Sequence, residues 1–119
     1  MLDIRPEQVE VFEEVAVRQF DQRAFQHLWQ HCPDECARAG EQAIRAMIPP
    51  GRERAAAYGL LASADVLRFL SACLVMGPGF EAEPRAQAIL TDPSLAPAAK
   101  MDAIDAHVIR HLAKEDADT

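Results

Sequence analysis

The sequence predicts an all-α fold, a single-domain bundle of about five to six helices packed around a central apolar helix at about residues 64–76. Three observations carry this. Apolar residues recur at spacings of three and four along most of the chain, and no stretch alternates as a strand would. Proline and glycine fall at intervals that cut the chain into helix-sized pieces. Between Phe69 and Phe80 there is no charged residue, so that segment has to be enclosed by protein.

The first helix starts at Pro6, a residue suited to the first helical position, with Gln8 able to reach back to the cap and Ile4 placed as a staple. Val9, Phe12, Ala16, Phe20, Ala24 and Leu28 line one face as far as about His31. Val11, Val15, Phe25 and Trp29 widen that stripe beyond what one neighbouring helix would cover. The helix therefore either packs on two sides or leaves an apolar patch for a partner, in which case these four are the candidate partner-binding residues, with Phe25 and Trp29 as aromatic anchors.

Pro33 opens a second helix, with Asp34 and Glu35 in its first turn, where the helix dipole favours negative charge. It is expected to run through Gly40 to Met47 and to break at Pro49-Pro50-Gly51, where two amide donors are missing. A short helix from Arg52 to Tyr58 follows, closed by Gly59 in a left-handed conformation. Ser63 is the expected cap of the central helix and Asp65 lies in its first turn. Val66, Phe69, Leu70, Cys73, Leu74 and Met76 cover most of that helix's circumference, which places it at the centre.

Gly77-Pro78-Gly79 ends the central helix, and Phe80 pins an ordered loop through Glu83. Pro84 opens a short helix carrying Ala86, Ile89 and Leu90 that stops at Asp92-Pro93. Pro97 starts the last helix, with Met101, Ile104, Val108 and Leu112 inside and Lys100, Asp102, Asp105 and Arg110 on the other side. The domain is expected to span residues 1–114, with 115–119 as a frayed acidic tail.

Composition excludes some functions. A chain of 119 residues fits one core, and a formal charge of -7 repels phosphate backbones and anionic lipid, so nucleic acid and membrane are not expected partners. Arg45, Arg52 and Arg54 are interleaved with Glu41 and Glu53 and read as a solvated mixed face. The start lacks the basic and apolar runs of a signal peptide, and no run reaches the roughly 20 residues a bilayer requires. Cys32, Cys36 and Cys73 are odd in number and are expected as buried free thiols in a reducing, cytoplasmic compartment.

His27 with His31, and His107 with His111, stand at the i,i+4 spacing that can chelate a metal from one helix face. No glutamate follows His27 in the metalloprotease pattern, and no Glu-x-x-His motif accompanies the second pair. No metal or other cofactor is therefore expected, and these four histidines remain the candidates if one is bound. Catalysis is not expected either. His31 and Cys32 are sequence neighbours that point apart on a helix, no glycine elbow accompanies a serine, Glu13 and Glu14 sit on a solvated face, and Gly77-Pro78-Gly79 lacks a phosphate loop's lysine and hydroxyl.

Tyr58-Gly59-Leu60, Ala64-Asp65-Val66, Phe69-Leu70, Met76-Gly77-Pro78-Gly79-Phe80, Pro84, Ile89-Leu90 and Met101 form a pattern, with His27-Leu28 and His31-Cys32-Pro33 upstream. The pattern resembles small helical proteins encoded in bacterial type VI secretion effector clusters. The chain departs from that group at Arg85, where an aromatic often follows the proline, and at Pro49-Pro50, where relatives continue a helix. The resemblance implies a non-enzymatic chaperone, co-chaperone or adaptor whose partner is another protein, either an effector, a chaperone or a spike component. Alternatives are an immunity protein that neutralises a toxin and a metal-binding helical protein using the histidine pairs. The apolar excess could also close in a homodimer.

Overall fold

A computed structural model describes the backbone of residues 6–77 and 79–117 and the side chains of residues 14–77 and 79–114. Its elements are α1 (Pro6–His31), α2 (Pro33–Ala39), α3 (Glu41–Ala57), α4 (Ser63–Met76), α5 (Pro84–Leu90) and α6 (Pro97–Ala117), with a 3₁₀ turn at Phe80–Ala82 and no strand among the described residues. The all-α class and the central helix are as the sequence predicts. α4 touches α1, α2, α3, α6 and the 3₁₀ turn and buries Val66, Phe69, Leu70, Ala72 and Cys73. Phe69 lies between the rings of Tyr58 and Phe80, with centroids 6.2 and 5.6 Å away.

Two boundaries fall elsewhere than predicted. Gly40 is not carried through a helix; its φ of 90° and ψ of 155° belong to a region that only glycine enters freely. It ends α2 by donating to Cys36 O and starts α3 by accepting from Ile44 N–H. Conversely, Pro49 and Pro50 lie inside α3, not at a break. Ile44, Ile48, Gly51 and Ala55 form an unbroken buried row across them. Two interior prolines cost about 3 kcal/mol each, whereas burying Ile44 and Ile48 returns about 1.5–3 kcal/mol apiece before the rest of the row is counted. Gly51 permits the close approach of α3 to α4, because a Cβ there would stand 2.5 Å from Leu70 Cδ2.

α3 ends as predicted: Gly59, at φ 82°, turns the chain, and Leu60 N–H returns to Ala55 O while its side chain is fully buried. Ser63, by contrast, is the first helical residue, with Ala62 in the cap position and no side-chain cap bond. The segment after α4 is the predicted pinned loop in a 3₁₀ form, with Phe80 buried. α6 buries Met101 and Ile104, but Leu112 is exposed, so the predicted stripe leaves the core before its end. α6 also continues through Ala117, so helix extends past the predicted domain end at 114.

Arginines clamp the helices together. Arg52 Nε and Nη2 donate to both oxygens of Asp21, at 3.0 and 3.2 Å, tying α3 to α1. Arg68 on α4 donates to Asp102 and Asp105 of α6 at 2.6 Å each. Arg54 reaches Glu81 of the 3₁₀ turn. Lys100 Nζ donates to Tyr58 O at 3.0 Å, a cation on the carbonyl at the end of α3. The predicted mixed face therefore holds only for Arg45, which pairs with Glu41 in solvent. Arg52 and Arg54 are interhelical ties instead; Lys100 and Asp105 also serve the α6 interface, and Asp102, though its side chain is 74% exposed, pairs with Arg68. The predicted cap and staple at Gln8 and Ile4, and the side chains of Val9 and Phe12, lie outside the described residues.

Candidate partner-binding surface

Among the described residues a sizeable apolar trough lies open where α2, α3 and α4 meet. Its volume is about 560 Å³. α3 supplies Ala43, Met47, Pro50 and Arg54 at spacings of four, three and four, a row on one helix face. α4 supplies Leu74 and Val75, and α2 closes one end with Ala39. At that end Arg38 is 76% exposed at its side chain and its ion pair with Glu35 is loose, at 3.7 Å.

The inner end is polar and partly buried. Arg54 Nε donates to Glu81 Oε1 and its Nη2 approaches Cys73 Sγ at 3.7 Å. The other Glu81 oxygen is buried with no hydrogen-bond partner in the structure. Burial pushes the Cys73 thiol up to about 11, against the opposing pull of the Arg54 charge. Burial likewise raises the Cys32 and Cys36 thiols. All three cysteines are free and buried, as predicted. A protonated, enclosed thiol is a poor nucleophile.

The residues predicted to bind a partner differ in exposure. Val15 is exposed at 38%. Phe25 and Trp29 are half-buried, packed against the core of their own chain. Arg45 lies over the Phe25 ring, 3.9 Å from its centroid, and Trp29 Nε1 is buried without an acceptor. The Val11 side chain lies outside the described residues. Leu61 at 79% and Ile109 at 66% are the most exposed of the large apolar side chains described. In the sequence the trough is marked by the four, three and four spacing of Ala43, Met47, Pro50 and Arg54, a row that a helix break at Pro49-Pro50 would split.

The histidine pairs have separate surroundings. His27 and His31 stack with centroids 4.2 Å apart beside Arg68, Ser71 and Asp105, in a smaller cavity between α1, α4 and α6. Burial and the neighbouring His31 lower the pKa of His27. His107 Nε2 instead meets Glu83 Oε2 at 3.2 Å. Among the described residues no group of three or more His, Cys, Asp and Glu side chains could hold a metal ion, and no helix is long and apolar enough to cross a membrane.

No protein-family model, no curated protein and no solved structure matches the chain.

Proposed function

We propose that this chain is a cytoplasmic, non-enzymatic accessory protein that holds another polypeptide, an effector or loading factor of a type VI secretion system. The observation that supports the reading is the apolar trough of about 560 Å³, which no side chain among the described residues fills. Removing such a surface from water favours association, and an arginine at its edge supplies orientation. The buried protonated thiols and the interhelical use of the arginines fit a scaffold better than a reaction centre.

Co-expression of the chain with the products of its neighbouring genes tests this. A stoichiometric complex with an effector or loading factor, and loss of effector secretion when the gene is deleted, is the expected result. Deletion that leaves secretion intact, with no neighbouring product retained on the purified chain, overturns it.

A further inference from the structure

We infer that the trough seats an amphipathic α-helix of the partner, with an acidic residue of that helix meeting Arg38. This rests on the accessory reading above and names the structural class of what is held.

Length comes first. The α3 row from Ala43 to Arg54 covers twelve residues, about 16 Å at helical rise, or three turns. An apolar helix face repeats on that scale at i, i+3 or i+4, and i+7. The walls suit a rod: Ala39, Ala43 and Gly77 let a backbone come close, and Met47 can adapt its shape to the side chains it meets. The described residues offer no strand edge on which an extended peptide could add, which removes the other common backbone-led mode. The trough is partly open to solvent, so an acyl chain would stay partly in water, whereas a helix carries its own polar back.

Charge sets the flank. In a chain of net charge -7, the lining holds two guanidiniums, Arg38 and Arg54, and one carboxylate, Glu35. Arg54 is engaged by Glu81. Arg38 projects into solvent on its loose contact with Glu35, placed to take a carboxylate from an incoming helix. The exposed apolar residues Ile109 and Leu112 of α6 are accompanied by Arg110 and Lys114, so that stretch of a second copy would set like charges beside Arg38.

The test uses the full chain and two fluorescent synthetic peptides of about fourteen residues, roughly four turns, with the same leucine face and either glutamate or lysine flanks. Fluorescence anisotropy should show saturable binding of the glutamate peptide and at least about tenfold weaker binding of the lysine peptide. Arg38→Glu, on an exposed side chain that does not threaten folding, should reverse that preference. Ala43→Trp, which fills the trough, should abolish binding with the circular dichroism spectrum unchanged.

Several results overturn the inference: no binding of either peptide, equal binding of both, or displacement of the peptide by an equal concentration of oleate. Sedimentation of the wild-type chain as a dimer that Ala43→Trp dissociates assigns the trough to a second copy and also overturns it. The two readings fail separately. If an effector co-purifies equally with wild type and Ala43→Trp, the trough assignment falls and the accessory role stands. If no neighbouring product is retained yet the peptides bind as described, the accessory role falls and the helix seat stands.

Discussion

At the scale of single residues, the closest constraint is Gly51 against Leu70. Alanine at 51 gains helix propensity of about 1 kcal/mol but drives a methyl against a fully buried leucine with little room to turn. Overpacking of that kind costs about 1–3 kcal/mol, so Gly51→Ala should lower the unfolding free energy by up to about 2 kcal/mol. Urea denaturation reads this directly, and a gain in stability would show that Leu70 can give way. The cysteines offer a second reading. Native chain should react with none of its three thiols on the minute scale in a disulfide-exchange assay and with all three in guanidinium, because burial keeps each protonated and enclosed.

At the scale of elements, the sequence carried most of the information through periodicity and through proline and glycine. Val66, Phe69, Leu70 and Cys73 announce a helix buried on several sides, and the structure packs α4 against four other helices. Gly59 and Pro84 act where chain chemistry says they must. The errors share one cause, the competition between local preference and tertiary burial. At 49 and 50 the local rule demands a break, but the buried row from Ile44 to Ala55 outweighs it. At Gly40 a glycine that a helix can tolerate serves instead as the joint between two helices. The trough, being built from three elements, could be read only once α3 was known to be continuous.

The cost of that continuity is measurable. Pro50 removes the amide that would bond the Ala46 carbonyl and, being exposed, contributes little to the core. Pro50→Ala should therefore raise the midpoint of thermal unfolding, by the equivalent of about 1–3 kcal/mol. A lowered midpoint would mean the proline ring supports α3 and does not strain it.

At the scale of the whole molecule, stability should depend on acidity through the stacked histidines. His27 has a pKa below its ordinary 6.5 in the folded chain, so below that pH the unfolded chain binds more protons than the folded one. Stability should be steady above about 6.5 and fall as acidity increases towards the folded-state value. Burial is the larger cause of that lowering, and the neighbouring His31 adds to it. Thermal melts between neutral and mildly acidic pH check this; His27→Gln should flatten the slope, and an unchanged slope would place the dependence elsewhere.

The molecule measures 62 × 37 × 19 Å, with a radius of gyration of 16.1 Å against roughly 13.5 Å for a compact chain of this length. Its short dimension matches about two helix diameters. In such a slab no helix can be wrapped on all sides, and α4, flanked by α1 and α6, faces the trough with Leu74 and Val75. A guest laid there would complete a third layer, so the loaded form should melt later than the empty one in proportion to how far its concentration exceeds the dissociation constant. If the trough holds a guest as proposed, the chain would be the more easily degraded while vacant, and its abundance would track that of the guest.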